Sequence, residues 1–403
     1  MELLLTEQHA LRMALGGAVL GGGGGGWAGD GIRIAEIALR VGSPRLVDLD
    51  GLAPDDVVVT VSAVGAPAAP GRFVRPADYL EALLRLAAQL GRRVAAVMSS
   101  ENGGTSSLNG WFQSAVTGIP LLDAAGDGRA HPTGVMGSMG LESVDGYVSR
   151  QVAVGGNPDA GTRIVVGVEG SIASADRTVR QAAVEAGGLV AVARNPVPAS
   201  YVRHHGAPGA LSEAMRVGEA MLGAYARMGL SAAHVRALVL AHTEGSLFGL
   251  PAEEPPGLAR EAGNGLPAGA GEQVAEALAE ALAGRVLSSG PISDCRLETR
   301  GGYDTGTLRV DDVRLTFWNE FMTAENALGR LATFPDLIVA LDAHTGLPLA
   351  TAEVHNGCEV ILVFAPRGRL MLADGVRRVE NLRVIEDALG VPVLRYQDRT
   401  TVS

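Results

Sequence analysis

The sequence contains no lysine, and all 33 basic residues among its 403 residues are arginine. This absence excludes a lysine Schiff base, a P-loop lysine and a lysine general base. Any acid–base or nucleophilic chemistry must therefore come from other side chains.

Cysteine is almost absent, since the chain has only Cys295 and Cys358 and they form no CxxC pair. A disulfide framework and a cysteine-based zinc site are not expected, and a reducing cytoplasm is predicted. The first residues lack a basic region ahead of their apolar residues, which disfavours a signal peptide. No uninterrupted apolar run reaches ~18 residues, so we predict no membrane span.

Acidic residues outnumber basic residues by 44 to 33, which gives a net charge of −11. Nucleic acid is therefore not the expected partner, because phosphate binding relies on basic patches. Hydrophobic residues make up 47% of the chain, and its length suits two folded domains. The 55 glycines indicate many tight loops and close backbone approaches.

The pattern of apolar residues differs between the first and the second part of the chain. The first alternates apolar strand-like runs with amphipathic helices, which predicts an α/β domain over residues 1–283, including a Gly/Pro/Ala-rich loop at 245–271. Short alternating runs between glycines predict a β-rich domain over residues 284–403. The predicted helices are 32–41, 76–90, 108–116, 173–186, 209–228, 232–242 and 272–283, with another starting at Thr6. The predicted strands of the first domain include 45–49, 57–64, 94–98, 119–122, 164–168 and 189–193.

Residues 101–132 concentrate varied polar side chains among glycines. The segment follows a predicted buried strand at 94–98 and contains a predicted helix and a second strand. Strand, helix and strand in this order predict a parallel pair, with Glu101 and Asp123 at the carboxyl edge of the sheet, where ligands bind. The alternative is a pair of well-capped turns.

Six consecutive glycines at residues 21–26, called the glycine run below, follow a predicted helix. A dinucleotide fingerprint needs a strand before its glycines, and no GK[ST] follows here. We favour a turn that lets the backbone approach a ligand or another segment. A nucleotide cradle stays open as the weaker alternative.

The histidines show no metal-binding spacing. The candidates are His204 with His205, His242 with Glu244, His344 and His355, and none forms an HExxH motif. Adjacent histidines on a strand would point to opposite faces. A divalent metal such as zinc, held by residues distant in sequence, remains open.

An ordered set of short motifs resembles the S-methyl thiohydantoin desulfurase-like proteins, a former domain of unknown function often found beside hydantoinases. The motifs are the glycine run; Glu101, Gly103, Gly104 and Asn109; Gly118-Ile119-Pro120, Asp123 and Gly128-Arg129-Ala130; Gly209-Ala210-Leu211-Ser212 and Gly218; Gly301-Gly302-Tyr303 and Gly306; Asn319-Glu320; and Pro335-Asp336-Leu337-Ile338. The resemblance implies a three-layer α/β domain with a mostly parallel sheet plus a β-barrel-like domain. The chain departs from it at Ala125 and Thr133, where acidic residues are common, and at His131, where an aromatic residue is usual.

The resemblance implies hydrolysis of a small cyclic amide or amidine, in which water adds to a ring carbon and methanethiol leaves. Glu101 is the predicted base, with a turn or helix-capping carboxylate as the alternative. Asp123 is predicted to orient water, or else to cap. His131 is predicted to shuttle a proton near neutral pH, or else to pack in a loop.

Six further residues are predicted to bind substrate. Arg129 would hold a substrate carboxylate through its fork, unless it forms a structural ion pair. Asn319 and Glu320 would reach across the domain interface, unless they form a satisfied buried pair. Asn109, Gly103 and Gly104 complete the set.

Two functions remain in competition. The favoured one is a hydrolase of a hydantoin-like ring. The alternative is a non-catalytic ligand-binding or partner subunit of a hydantoinase-type enzyme, which the missing acidic residues at 125 and 133 motivate. Assembly as a homo-oligomer or with hydantoinase-type proteins is compatible with either.

Overall fold

The computed structural model describes residues 2–242, 261 and 263–397 of the chain. Residues 245–260 and 262 of the predicted loop lie outside the described residues, as does Glu244.

The first domain is built on a mixed sheet of nine strands with parallel strands at its centre. Strands β2, β5, β4 and β3 are neighbours in this order and run parallel, and the flanking strands pair antiparallel. The predicted parallel pair around residues 101–132 is thus confirmed as β4 and β5. The strands are β1 (Glu2–Leu4), β2 (Arg45–Val47), β3 (Val57–Gly65), β4 (Val94–Ser99), β5 (Leu121–Ala125), β6 (Ser149–Gly155), β7 (Ile164–Gly170), β8 (Leu189–Pro198) and β9 (Ala207–Pro208).

Helices cover both faces of this sheet, which gives three layers. Adjacent residues of β4 show why: Val97 joins the core under one helical layer, whereas Ala96 and Met98 join the core under the other. Such strands read as continuous apolar runs, because successive side chains point to opposite faces and both faces are buried. The helices are α1 (Glu7–Gly21), α2 (Ala28–Val41), α3 (Pro76–Leu90), α4 (Trp111–Thr117), α5 (Ile172–Glu185), α6 (Ala199–His205), α7 (Ala210–Arg227), α8 (Ala232–His242), α9 (Ala270–Ala281), α10 (Asp374–Arg377) and α11 (Val379–Leu389).

The second domain is an all-antiparallel sheet of eight strands in the order β14-β13-β12-β11-β10-β17-β15-β16. Its described pairings form an open path rather than a closed ring, so the predicted β-rich domain is confirmed but the sheet is not a closed barrel. The strands are β10 (Arg285–Arg300), β11 (Tyr303–Val310), β12 (Val313–Trp318), β13 (Glu320–Asn326), β14 (Gly329–Thr333), β15 (Leu337–Asp342), β16 (Pro348–Leu349) and β17 (Glu359–Ala365).

The two sheets share one hydrophobic core. Val339 and Val363 of the second sheet pack in the same cluster as α1, α7 and α9, while Ala340 and Leu362 face a smaller cluster within the second domain. Among the described residues, no helix is both long and apolar enough to cross a membrane.

Helices α1 and α7 approach each other closely because glycine occupies their contact points. A Cβ on Gly16 would lie 1.8 Å from the carbonyl oxygen of Ala214, and one on Gly218 would lie 2.0 Å from that of Arg12. Both obstacles are backbone atoms, which cannot move aside without separating the helices. The contact holds α1 in place and so positions the glycine run that follows it.

Replacing Gly218 by alanine should therefore destabilise the fold by about 1–3 kcal/mol, because the added methyl group overpacks the helix contact. Gly223, on the same helix, has only the tip of the Arg227 side chain near its Cβ position. Gly223→Ala should instead stabilise by roughly 0.5–1 kcal/mol through helix propensity. Urea unfolding of both variants measures the difference, and equal stabilities would contradict the proposed helix contact.

Candidate functional site

A cavity of about 70 Å³ lies where the carboxyl ends of β3 and β4 meet the second domain. By the same measure one water needs roughly 10–15 Å³, so the cavity holds about five waters or a small ring. Its polar and charged lining combines residues from both domains: Ser100, Glu101, Thr105, Ser106, Asn109, His131, Thr133, Arg180, Arg194, Asn319 and Glu320.

The glycine run forms one wall of the cavity between α1 and α2. Its preceding element is a helix, as predicted, which leaves it without the strand of a dinucleotide fingerprint. The carbonyl oxygen of Gly25 accepts hydrogen bonds from the backbone nitrogens of Thr105 and Ser106, both at 3.0 Å. The backbone thus approaches another segment, which was the favoured prediction.

Gly103 and Gly104 do not line the cavity, so the prediction that they bind substrate directly is corrected. A Cβ on Gly103 would lie 2.4 Å from Cα of Gly25, and one on Gly104 would lie 2.5 Å from the carbonyl oxygen of Gly26. These glycines let the loop after β4 pack against the glycine run, and so they shape the cavity from behind.

Glu101 follows β4 and lies in the cavity with 14% of its side chain exposed. One carboxylate oxygen accepts a hydrogen bond from the Ser106 hydroxyl at 3.1 Å, and the other from the backbone nitrogen of His131 at 3.3 Å. Burial raises the pKa of Glu101 to about 7, although these hydrogen bonds and the charges of Arg194 and Arg180 oppose the rise. A carboxyl group with this pKa exchanges protons near neutral pH.

Asn319, between β12 and β13, and Glu320, the first residue of β13, reach the cavity from the second domain. Asn319 adopts a left-handed conformation with φ of 58°, and its side-chain oxygen accepts from the backbone nitrogen of Asp304 at 2.9 Å. Burial and the nearby Glu101 raise the pKa of Glu320 well above its ordinary value, and its Oε2 has no hydrogen-bond partner among the described residues. Burial therefore favours the protonated form of Glu320.

His131 and Asn109 place unused polar groups against this carboxyl pair. The Nε2 atom of His131 lies 3.4 Å from Oε2 of Glu101, and neither ring nitrogen makes a well-formed hydrogen bond to a described residue, although the backbone of Ser100 and Thr133 lies near the ring. Burial and the charge of Arg194 lower the pKa of His131 to about 3, which favours a neutral ring over the predicted proton shuttle near neutral pH. Both polar atoms of the fully buried Asn109 amide are also unpartnered.

Two cavity arginines were missed by the sequence reasoning. Arg180 on α5 donates to the carbonyl oxygens of Gly65, Pro132 and Gly302, and it lies 4.2 Å from the ring centroid of Tyr303. Arg194 lies in β8 and is 2% exposed. The sequence does contain a clue to Arg194, because it directly follows the apolar run 189–193. Arginine is seldom buried without a partner, so a charge at this point of a buried strand indicates a special environment.

Asp123 lies outside the cavity, and its predicted role in orienting water is corrected. Its carboxylate accepts hydrogen bonds from the backbone nitrogens of Leu211 and Ser212 at 3.1 and 3.0 Å, and from the Ser212 hydroxyl at 2.6 Å. These nitrogens belong to the first turn of α7, whose donors have no partner within the helix. Asp123 thus caps α7 across the sheet edge, which was its alternative reading.

Arg129 is also absent from the cavity wall. It is fully buried, and its guanidinium donates to the carbonyl oxygens of Ala130, Pro335 and Asp336 and lies 4.5 Å from the ring centroid of Phe334. Burial lowers the pKa of Arg129 to about 10. The predicted substrate-carboxylate role is therefore corrected, because the residue fastens the second domain to the loop after β5.

The histidine candidates for a metal site are scattered. His204 and His205 lie on α6 rather than on a strand, and Nδ1 of His205 lies 2.7 Å from Asp374. His355 lies 3.0 Å from Sγ of Cys358. Within residues 2–242, 261 and 263–397, no group of three or more His, Cys, Asp or Glu side chains is arranged to hold a metal ion.

Family comparisons agree with the ordered motifs. A family model described as the S-Me-THD-like N-terminal domain matches residues 8–157, and one described as the S-Me-THD-like C-terminal domain matches residues 171–248 and 257–376. The chain belongs to the S-Me-THD-like family. These models divide this S-Me-THD-like protein between residues 157 and 171, whereas its second sheet begins at Arg285.

A solved structure shares the fold. The crystal structure of a protein from Chromobacterium violaceum covers 97% of this chain and 96% of its own, with a TM-score of 0.63 and 19% sequence identity. No curated protein matches the chain significantly.

The three departures from the resemblance lie in different surroundings. Thr133 and His131 line the cavity, whereas Ala125 is buried in a small apolar cluster with Ala207 and Ala210. The cavity wall is therefore affected at residues 131 and 133 but not at residue 125.

Replacing Asp123 by alanine should cost about 1–3 kcal/mol of folding stability, because three hydrogen bonds to α7 are lost. Asp145 is exposed, and Asp145→Ala should stay within about 0.5 kcal/mol of the parent. Chemical denaturation of the two variants separates capping from a surface charge effect. A stable Asp123→Ala protein would contradict the capping role.

Proposed function

We propose that this S-Me-THD-like protein is a hydrolase of a small cyclic amidine or amide of the thiohydantoin type. The observation that carries the proposal is Glu101, a carboxylate with a pKa of about 7 inside a small cavity that also holds unpartnered polar groups. Family membership supports a thiohydantoin-related role.

Glu101 is the proposed general base. The ionised carboxylate removes a proton from water, and the water oxygen forms a bond to the amidine-like ring carbon. Its two hydrogen bonds, from Ser106 and from the backbone of His131, fix the carboxylate in one orientation. Addition of water across the carbon–nitrogen double bond leaves a tetrahedral carbon that carries the new hydroxyl group and the methylthio group. Glu101 passes the proton it took from water to the adjacent ring nitrogen and is ionised again.

Glu320 is the proposed general acid. Two carboxyl groups whose environments separate their pKa values can divide the roles of acid and base. Protonated Glu320 gives its proton to the departing sulfur, and the carbon–sulfur bond breaks. The new hydroxyl group then returns a proton to Glu320 as the ring carbonyl forms. Water and the S-methyl thiohydantoin are thereby converted to hydantoin and methanethiol, and the two carboxyl groups return to their starting states.

Asn109 and His131 are proposed to hold the ring. The Asn109 amide offers donors and an acceptor that match the N–H and C=O groups of a hydantoin-like ring. The neutral imidazole of His131 can hydrogen-bond to the attacking water without competing for its proton. Buried unpartnered groups of this kind favour a ligand that supplies the missing partners.

The reaction is proposed to take place in the cytoplasm. Cys295 and Cys358 are both free thiols and half-buried, which suits a reducing compartment. The proposed partner is the small cyclic substrate.

Incubation with S-methyl thiohydantoins, hydantoins and lactams, with divalent metals supplied, tests the proposal. Release of methanethiol or ring-opened product from one class is expected. Ligand binding without turnover, together with co-purification of a hydantoinase-type enzyme, would instead identify a non-catalytic partner subunit. Absence of both turnover and binding for all three classes would refute the hydrolase proposal.

Glu101→Gln should abolish turnover, a loss of at least about 10²-fold, because the amide cannot accept a proton from water. The melting temperature near pH 6 should change little, since glutamine fills the same space and can still accept the Ser106 hydrogen bond. Steady-state kinetics and thermal unfolding of the same preparation check both outcomes. An active Glu101→Gln protein would remove Glu101 as the base.

The pH profile of kcat/KM should rise through about pH 7. Glu101 must be ionised, and its raised pKa places that ionisation near 7 rather than near 4.5. Glu320 must stay protonated, so the rate should fall again at higher pH, and the two apparent values belong to the coupled pair. Glu320→Gln should lower the rate and remove the falling limb; a profile already flat from pH 5 to 9 in the parent would contradict both assignments.

A further inference from the structure

Arg194 is the buried group that the proposed reaction leaves unused. It lies in β8 with 2% of its surface exposed, and it lines the cavity. Its Nε and Nη1 atoms are buried and have no hydrogen-bond partner among the described residues. Guanidinium donors left without acceptors cost free energy, because burial removes the water that would otherwise accept from them.

The acidic neighbours of Arg194 leave these donors unsatisfied. Asp176 and Glu101 attract its charge, but Oδ1 of Asp176 accepts a hydrogen bond from the backbone nitrogen of Gly134. The two oxygens of Glu101 accept from Ser106 and from His131. The nearby charges therefore stabilise the cation without supplying the acceptors that its donors lack.

Gly134 lets the Arg194 guanidinium pack directly against the backbone of the loop after β5. A Cβ at this position would lie 2.5 Å from Nη1 of Arg194 and 2.2 Å from Oδ1 of Asp176. Any larger residue would displace the guanidinium. The absence of a side chain at Gly134 thus permits the buried position that Arg194 takes at the cavity wall.

Arg180 differs from Arg194 although both line the cavity. Arg180 donates to the carbonyl oxygens of Gly65, Pro132 and Gly302 and joins the two domains. Among the described residues only Nε of Arg180 lacks a partner, whereas Arg194 lacks partners at both Nε and Nη1. A guanidinium with free donors matches a carboxylate, whose oxygens accept charge-assisted hydrogen bonds.

We propose that Arg194 is the specificity-determining residue of an anion subsite, which takes a carboxylate substituent carried by the cyclic substrate. The substrate class is then a thiohydantoin derived from an acidic amino acid. This inference rests on the proposed hydrolase function. It specifies further that the substituent on the substrate ring is negatively charged. The small cavity favours a carboxylate over bulkier anions.

The test compares two S-methyl thiohydantoins that differ in one group. One bears a carboxyethyl side chain, and the other bears the carboxamide of the same size. The parent protein should prefer the acid by roughly 10- to 100-fold in kcat/KM, as expected for hydrogen bonds to a charged group. Arg194→Gln should bring this ratio to about one, and Arg194→Lys should retain part of the preference, because it keeps the charge but loses the fork.

If kcat/KM of the parent protein for the acid exceeds that for the carboxamide by less than about twofold, the subsite is overturned. This measurement does not depend on the folding of any variant. A preference that survives in a folded Arg194→Gln protein would also overturn it. Arg216→Gln, which removes an exposed arginine on α7, is the matched control and should keep the parent ratio.

Failure of the proposed hydrolase function gives a different result. If neither compound is turned over, calorimetric titration of the same two compounds replaces the kinetic ratio. If the parent protein binds the acid more tightly than the carboxamide and Arg194→Gln binds both equally, the subsite is supported on a non-catalytic protein. Equal binding of the two compounds, or no binding of either, would overturn it.

Discussion

The close approach of three backbone segments at the glycine run is the constraint on which the rest of the site depends. Gly25 accepts from the loop after β4, while Gly22 and Gly23 accept from Phe321 and Thr351 of the second domain. A Cβ on Gly24 would lie 2.0 Å from Oε1 of Glu320. Side chains here would separate the domains, so the glycines permit one carboxylate from each domain to face the same cavity.

Burial then sets the chemistry of those carboxylates. A carboxyl group removed from water resists ionisation, and a second one nearby resists it further. Arg180 and Arg194 oppose this effect at Glu101, whose pKa remains near 7, while Glu320 is shifted well above its ordinary value. One cavity thus holds two carboxyl groups whose pKa values are both raised by burial.

The fold was largely predictable from the sequence, whereas the site was predictable only in part. Apolar runs and helical periodicity identified β4, β5 and the change from an α/β to a β-rich pattern before β10, because these patterns are local in the sequence. The position of Glu101 at the end of a buried strand, where it now lines the cavity, could be predicted because that strand is a local apolar run. Asp123 and Arg129 were misassigned because their partners, Ser212 and Pro335 among them, lie far along the chain. Hydrogen bonds of this range have no periodic signature.

The sequence predicts a carboxylate-binding role for Arg129, whereas the cavity places Arg194 where such a group could bind. Both arginines are buried, so burial alone does not distinguish structure from function. Arg129 donates to three carbonyl oxygens and stacks on Phe334, which accounts for its place in the core. Nη2 of Arg129 lacks a partner among the described residues, but Arg129 lies outside the cavity. Nε and Nη1 of Arg194 lack partners on a residue that lines the cavity. An unpaired buried cation costs several kcal/mol, and a bound anion is the physical means of recovering that cost.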